Sequence, residues 1–180
     1  RLCSSAASDV YKRQDLRCDP FVNKDNLLLD DVDSVIKELN EYKELGGSTI
    51  VDPTNIGIGR KPEVIKKIAE ETGLNIILGS GFYLEPTHPD YVKKMNEEDI
   101  SQLIQEEYYE GIDGSNVKIG IVGEIGVSKD FTSEERKVLA GASRAAASTG
   151  IPLSVHLPGW ERLGGKVLDL AYENGCKDAQ

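Results

Sequence analysis

The stretch Val117-Lys118-Ile119-Gly120-Ile121-Val122-Gly123-Glu124-Ile125-Gly126 decides the interpretation of the whole chain. Its first part is apolar and β-branched, which predicts a strand that is buried on both faces of a parallel sheet. A single carboxylate, Glu124, follows at the carboxyl end of that strand, between two glycines. A buried carboxylate is costly without a partner, so we expect a metal ion or a basic side chain beside it. The alternative is a strand that simply ends in a solvated acid.

A second run, Leu153-Ser154-Val155-His156, also ends in a side chain of a type that binds metals. The carboxyl ends of neighbouring parallel strands lie at the same edge of a sheet. We therefore expect the side chains of Glu124 and His156 to converge within about 4–5 Å, the span of one metal ion. Convergence of the two side chains would favour one shared site over two unrelated strand ends.

Helical and strand-like segments alternate from residue 32 onward. The spacing of apolar residues predicts helices at about 32–45, 62–72, 97–110, 132–149 and 162–173, with strands at 49–51, 75–78, 117–124 and 153–156. A glycine follows each helix, where it can supply a left-handed C-cap. Thr132 and Glu135 have the spacing of a capping box at the start of the fourth helix. This alternation predicts right-handed parallel βαβ units.

Two α/β architectures fit the alternation, an open doubly wound sheet and a (β/α)8 barrel. A doubly wound nucleotide binder should carry GxGxxG, whereas Gly57-Ile58-Gly59-Arg60-Lys61-Pro62 lacks the third glycine. Metal-binding side chains at strand carboxyl ends are typical of the barrel. At 180 residues the chain is shorter than the ~250 residues of a closed barrel. The sequence therefore predicts a partial TIM (β/α)8 barrel, with parallel strands alternating with helices.

Composition narrows the class of partner. The formal net charge of -10 and the lack of a basic stripe argue against nucleic acid and anionic membranes. No apolar run approaches the ~20 residues of a membrane span. The three cysteines are far apart and lack CxxC spacing, so neither a disulfide framework nor a zinc ribbon is predicted. A reducing cytoplasm is the expected location.

Residues 1–14 differ from the rest of the chain. They are rich in serine and alanine, and their end, Asp9-Val10-Tyr11-Lys12-Arg13-Gln14, resembles a translated adaptor from sequencing-library preparation. We interpret 1–14 as a non-native adaptor-like or disordered segment and set it aside for fold prediction. The folded domain is expected from Asp15 to the end of the chain, residues 15–180.

An ordered set of short motifs carries a family resemblance. The set comprises Asp52-Pro53-Thr54-Asn55, Gly57-Ile58-Gly59-Arg60, Gly79-Ser80-Gly81-Phe82-Tyr83 with His88-Pro89, Gly111-Ile112-Asp113-Gly114, Gly123-Glu124-Ile125-Gly126 and Ser154-Val155-His156. In this order and spacing, the motifs resemble the phosphotriesterase-related family of the amidohydrolase superfamily. Each motif alone is only modestly specific for the family, whereas the ordered set is strong evidence of the resemblance.

The resemblance implies a binuclear metal centre, usually of zinc, at the C-terminal mouth of the barrel. Some family members bridge the metals with a carboxylated lysine and others with a glutamate, and Gly123-Glu124 fits the glutamate form. The resemblance assigns Glu124 as the bridge and His156 as the metal ligand of the fifth strand, both counted as catalytic. It assigns Tyr83, and more weakly Arg60 in the loop after Asp52, to substrate binding.

The chain also departs from the family pattern. The His-x-His of the first strand should fall at about Asp9 and Tyr11, and neither is a histidine. The later metal ligands, a sixth-strand histidine and an eighth-strand aspartate, should lie beyond Gln180. Residues 15–180 are therefore expected to form the N-terminal half to two-thirds of the family's barrel, about strands one to five. His88, the other histidine, is interpreted as a loop residue rather than a ligand.

The functional expectation follows from the resemblance. It implies a hydrolase of ester bonds in a lactone, carboxylic ester or phosphotriester, acting through metal-activated water. This chain alone is expected to be inactive because it retains two ligands of the set. The alternatives are an amide hydrolase of small N-acyl substrates and a non-enzymatic half-barrel. The expected partner is a small ester or lactone substrate, with a homo-oligomer as a further expectation and with neither nucleic acid nor membrane.

Overall fold

The computed structural model describes residues 31–177. The chain divides into two compact units, Arg1–Glu38 and Leu39–Gln180. In the described part of the first unit, the carboxylate of Asp31 accepts hydrogen bonds from the backbone nitrogen and the hydroxyl of Ser34. The predictions for residues 1–14, including the expected first-strand histidine positions, lie outside the described residues.

The described residues contain four strands and five α-helices that alternate along the chain. In order they are α1 (Val32–Glu44), β1 (Thr49–Asp52), α2 (Pro62–Thr72), β2 (Asn75–Ser80), α3 (Glu97–Tyr109), β3 (Ile119–Gly126), α4 (Ser133–Thr149), β4 (Leu153–His156) and α5 (Gly164–Glu173). Three short 3-10 helices, Glu85–Thr87, Asp90–Lys94 and Ile112–Gly114, lie in the loops on either side of α3. The predicted elements are therefore all present, with bounds within a few residues.

The strands form one parallel sheet in the order β1-β2-β3-β4. Spatial order and chain order are the same, and each pair of strands is joined through a helix. A doubly wound sheet reverses direction at a switch point, whereas a barrel adds each strand beside the last. Within the described residues the topology is thus that of a partial barrel, as predicted.

The helix ends follow the sequence signals. Gly73 and Gly150 end α2 and α4 in the left-handed conformation, with φ of 68° and 75°. Thr132 and Glu135 form the predicted capping box, in which each side chain accepts a hydrogen bond from the other's backbone nitrogen. Among residues 31–177, no helix is long and apolar enough to cross a membrane.

The core lies between the sheet and the helix pair α3 and α4. Its fully buried side chains include Ile100 and Ile104 of α3, Val138 of α4 and Val122 of β3. Gly141 lets α4 approach α3 closely, because a Cβ atom there would lie 2.6 Å from the Glu97 carbonyl oxygen. Removing these large side chains from water is the main favourable contribution to folding. The packing fixes β3, and with it the strand end that carries Glu124.

Candidate metal centre

A β-bulge places Glu124 at the end of β3. Val122 pairs with Leu153 and Ile125 pairs with Val155, so two residues of β3 face one residue of β4. The two residues are Gly123 and Glu124, and a bulge of this kind redirects the side chain that it carries. Gly123 has a φ of 115°, which favours glycine. Gly123 therefore provides the backbone conformation of the bulge, and Glu124 carries the carboxylate that the bulge redirects.

Glu124 and His156 converge at the carboxyl ends of β3 and β4. Oε1 of Glu124 lies 3.4 Å from Nδ1 of His156, and their side chains are 34% and 42% exposed. The distance is within the span of one metal ion predicted from the sequence. The sequence predicted either a metal ion or a basic side chain beside Glu124. The basic side chain is present, and it is His156 of the adjacent strand. Neither group is sealed from solvent, so both can be reached by a ligand.

Tyr83 completes the cluster from the end of β2. Its ring lies edge-on to the His156 ring, with 5.1 Å between the centroids. Burial, with a further contribution from the negative charge of Glu124, raises the pKa of Tyr83 to about 12. The phenol therefore keeps its proton at neutral pH. Its hydroxyl makes no hydrogen bond to any residue in 31–177, which leaves it able to donate to a bound molecule.

The pH response of His156 gives a first prediction. The hydrogen bond to Glu124 raises the pKa of His156 above the ordinary 6.5, the charge of Glu124 adds to the shift, and burial opposes it. The pair therefore stabilises the fold fully below about pH 6.5, and this contribution is lost as pH rises through the folded-state pKa. NMR titration of His156 should show a midpoint above 6.5, and Glu124→Gln should lower it. An unchanged midpoint in that variant would contradict the pairing.

The loop after β1 holds the backbone of Glu124 on both sides. The Glu124 nitrogen donates to the Pro53 carbonyl oxygen at 3.2 Å, and the side-chain nitrogen of Asn55 donates to the Glu124 carbonyl oxygen at 2.5 Å. The loop crosses β2 at Gly79 to reach β3. Gly79 leaves room for this close approach, because a Cβ atom there would lie 2.0 Å from the Gly123 carbonyl oxygen. These contacts with Glu124 were not predicted from the sequence. The sequence features that could have indicated them are Gly79 and the motif that contains Asn55.

Removal of the Asn55 side chain gives a second prediction. Asn55 is fully buried, and Asn55→Ala should lower the free energy of unfolding by about 1–3 kcal/mol because the Glu124 carbonyl loses its buried donor. Urea unfolding measures the change. Asn75→Ala is the matched control, since exposed Asn75 makes one comparable bond to the Ser48 carbonyl oxygen. The control should change stability by less than ~0.5 kcal/mol. Equal losses in both variants would contradict the proposed hold on Glu124.

Arg60 does not join the Glu124 cluster. Its guanidinium makes two hydrogen bonds to the carboxylate of Glu107 on α3, at 2.6 and 2.7 Å, and a third to the Gly79 carbonyl oxygen. The side chains of the pair are 6% and 9% exposed. These contacts indicate that Arg60 supports β2 from the helix side. Its predicted role in substrate binding stays a prediction, and Asp52 likewise bonds locally, to Thr54.

The chain has relatives among known proteins. Residues 14–177 match the sequence profile of the Phosphotriesterase family. The chain belongs to this family. The resemblance expected from its motifs is therefore confirmed, and so is the prediction of a partial TIM barrel, since the solved family structures superpose on the chain closely.

The chain is similar to family members of several names. It is 42% identical over 138 residues to N-acetyltaurine hydrolase of Xenopus tropicalis. Among solved structures it resembles a resiniferatoxin-binding protein from Rhodobacter sphaeroides, with 49% identity, a TM-score of 0.85 and 91% of this chain covered. It also resembles a phosphotriesterase homology protein from Escherichia coli complexed with phosphate in the active site. The identity there is 30% and the TM-score 0.79, with 83% of this chain covered.

The chain matches only part of each relative. It covers 40% of the Xenopus protein and 46% and 52% of the two bacterial structures. The chain thus spans about half the length of the family members it matches, or less. The half of the barrel that this chain does not cover would supply the rest of any active site.

The donor set of this chain fits part of the family's metal centre. Zinc binds carboxylate oxygen and imidazole nitrogen at about 2.0–2.2 Å, which places two ligands of a tetrahedral ion about 3.3–3.6 Å apart. The 3.4 Å between Glu124 and His156 meets that requirement. Within residues 31–177, no group of three metal-binding side chains occurs. The described residues therefore fit as two ligands of a larger set.

Proposed function

We propose that this chain supplies Glu124 and His156 to the metal centre of a hydrolase. The observation that carries the proposal is their 3.4 Å convergence at the ends of adjacent strands, in a chain of the Phosphotriesterase family. The E. coli relative, whose structure holds phosphate in its active site, supports a site that accepts an anionic or polar group. Zinc is the proposed metal, because carboxylate and imidazole are among its usual ligands.

Each residue of the cluster has a distinct proposed role. When bound, a pair of divalent cations lowers the pKa of a shared water and polarises the substrate oxygen. Glu124 would hold the metal through its carboxylate. His156 would bind through a neutral ring nitrogen, so metal binding has to displace its proton. Tyr83, whose phenol stays protonated because its pKa is about 12, would donate a hydrogen bond to the substrate.

A small N-acyl amide is the first candidate substrate. The relatives that support it are N-acetyltaurine hydrolases, which are 37% identical to this chain in Homo sapiens and 42% identical in Xenopus tropicalis. The bond cleaved would be the carbonyl carbon to nitrogen bond, with water as the other reactant. The products would be a carboxylic acid and an amine.

An ester, lactone or phosphotriester is the second candidate, and it is the one that the sequence motifs favoured. The reacting atom would be the carbonyl carbon of an ester or lactone, or the phosphorus of a phosphotriester, and both substrate classes would need the same ligands from this chain. The difference lies in the leaving group, an amine for the amide and an alcohol for the ester. Residues around Tyr83 are the part of this chain that could distinguish them.

The test is a substrate panel assayed on a completed barrel. Such a barrel would join residues 15–180 to a first strand with Asp9→His and Tyr11→His and to the C-terminal half of a family member. Hydrolysis of N-acyl amides that requires zinc and stops with a chelator is the expected result. Zinc-dependent cleavage of esters alone would favour the second candidate. A completed barrel that binds stoichiometric zinc yet cleaves neither class would contradict the proposal.

A non-enzymatic half-barrel is the remaining alternative, in which the chain acts only by assembly with another half. Metal content distinguishes it, because a hydrolase of this family should retain zinc through gel filtration once its ligand set is complete. A completed barrel that folds without binding metal would favour assembly as the function. The same gel-filtration run tests the proposed homo-oligomer.

A further inference from the structure

His88 is a buried side chain with both ring nitrogens engaged. It lies in the loop between β2 and α3, and 1% of its side chain is exposed. Nε2 donates to the Tyr83 carbonyl oxygen at 2.8 Å, and Nδ1 lies 2.7 Å from Oε1 of Glu134. The ring also lies edge-on to Phe82, with 5.8 Å between centroids. His88 is thus in a loop, as the sequence indicated, with its ring buried and bonded at both nitrogens.

The partners of His88 hold its ring from two sides. The Tyr83 carbonyl oxygen can only accept a hydrogen bond, so Nε2 has to carry a hydrogen and donate it. On the other side of the ring, Nδ1 lies against the carboxyl group of Glu134, whose side chain is 12% exposed. Removing the ring would leave the Tyr83 carbonyl and the Glu134 carboxylate without their partner.

Glu134 is itself held in place by the first turn of α4. Its neighbour Glu135 is fully buried and accepts hydrogen bonds from the backbone nitrogens of Ser128 and Thr132, at 3.1 Å each, and from the Ser128 hydroxyl. Glu135 also lies 3.5 Å from the backbone nitrogen of Glu85 in the loop that carries His88. The start of α4 is therefore a rigid support that reaches the loops after β2 and after β3.

The Tyr83 backbone is held on its opposite side by β3. Gly126 donates its backbone hydrogen to the Phe82 carbonyl oxygen at 3.2 Å, and a Cβ atom at Gly126 would lie 2.4 Å from the Tyr83 carbonyl carbon. The peptide that follows Tyr83 thus lies against Gly126 and is bonded by His88. The ring of the same residue lies 5.1 Å from that of His156. Both contacts thus act on the backbone of the residue whose ring lies against His156.

We propose that His88 is a positioning residue, which together with Glu134 fixes the Tyr83 backbone so that the Tyr83 ring lies against His156. His88 touches neither Glu124 nor His156 itself. Its effect on the metal centre passes through Tyr83. The positioning of Tyr83 by His88 is argued from the contacts alone. Its consequence for substrate binding rests on the proposed function.

The test uses the fact that the chain has two histidines. In the 180-residue chain labelled at histidine and tyrosine, NMR should show a nuclear Overhauser cross-peak between the rings of Tyr83 and His156. Tyr83→Phe identifies the tyrosine, and His156→Asn identifies the histidine. His88→Gln is expected to abolish the cross-peak. A cross-peak of unchanged intensity in His88→Gln would overturn the proposal, and so would its absence from the unsubstituted chain.

Glu107→Gln is the matched control for general destabilisation. It weakens a similarly buried side-chain pair, between Glu107 and Arg60, which makes no contact with Tyr83. The cross-peak should survive in this variant. Loss of the cross-peak in Glu107→Gln as well as in His88→Gln would show that stability alone governs the ring contact, and would overturn the assignment.

A conservative double variant provides the rescue. The amide introduced by His88→Gln can donate to the Tyr83 carbonyl, but its oxygen then faces the Glu134 carboxylate. Adding Glu134→Gln supplies a donor at that point, so His88→Gln with Glu134→Gln should regain the cross-peak that His88→Gln loses. Failure to regain it would contradict the specific two-sided bond described for His88.

Kinetics on the completed barrel separate this inference from the proposed function. If Tyr83 binds substrate, His88→Gln should raise KM with little change in kcat, since the metal ligands are untouched. Loss of the cross-peak with an unchanged KM would leave the positioning role intact and contradict substrate binding by Tyr83. An unchanged cross-peak would overturn the positioning role whatever the kinetics.

Discussion

Glu124→Ala and His156→Ala should each lower hydrolysis by the completed barrel at least 10²–10³-fold, roughly the loss that follows removal of one transition-state contact. The physical reason is the ligand count. Zinc needs at least three protein ligands, and the two side chains lie 3.4 Å apart as neighbours on one ion would. Without either one, the remaining ligands hold the metal weakly. The measurement is kcat/KM with stoichiometric zinc content determined on the same sample.

The controls for this prediction separate chemistry from folding. Both side chains are about one third to two fifths exposed, so the loss of their pairing should lower the free energy of unfolding by at most about 1 kcal/mol and leave the fold intact. Glu124→Gln keeps the shape of the side chain, removes its charge, and should lose zinc in the same way. Full turnover by the Glu124→Ala barrel would refute the assignment of Glu124 as the bridging ligand.

Gly123→Ala is expected to destabilise the chain by about 2–6 kcal/mol, the sum of backbone strain and steric overlap. With φ at 115°, Gly123 has a conformation that alanine adopts only under strain. The added Cβ atom would lie 2.3 Å from the Ser154 carbonyl oxygen, which belongs to the backbone of β4 and cannot rotate away. Relief of the overlap requires β3 and β4 to separate at the bulge. Urea or thermal unfolding measures the loss.

Gly159→Ala is the matched control for the substitution at Gly123. It follows β4 at the same end of the sheet, and a Cβ atom there would have no neighbour within 4 Å. Its effect should stay below ~0.5 kcal/mol. If Gly123→Ala were as stable as Gly159→Ala, the bulge at Glu124 could not have the geometry described.

The elements of this fold could be predicted because their signals are local. The glycines after α2 and α4, the capping box at Thr132 and the alternation of helix with strand each depend on a few adjacent residues. The convergence of Glu124 and His156 could also be predicted, because the edge at which parallel strands end is a property of the topology. One local signal was overlooked, the capping box of Asn96 and Asp99 that begins α3.

The supports of the site could not be predicted, because they join residues that are distant in sequence. Asn55 binds the backbone of a residue 69 positions away, and His88 binds Glu134 across 46 positions. A local pattern contains no information about which loop will cross which strand. Arg60 illustrates the same limit, since its partner Glu107 is 47 positions away on another helix. The sequence therefore could not show that the Arg60 side chain is bonded to Glu107, and its role in substrate binding stays a prediction.

The most direct measurement is a zinc titration of the histidine-labelled chain followed by NMR. The chain has two histidines, one predicted to bind metal and one buried with both nitrogens bonded. Zinc should shift the ring signals of His156 and leave those of His88 unchanged. The affinity should be weak because no group of three metal-binding side chains occurs in residues 31–177. Glu124→Ala should abolish the shift. Equal response of both histidines, or a His156 signal insensitive to zinc, would contradict a metal centre at Glu124 and His156.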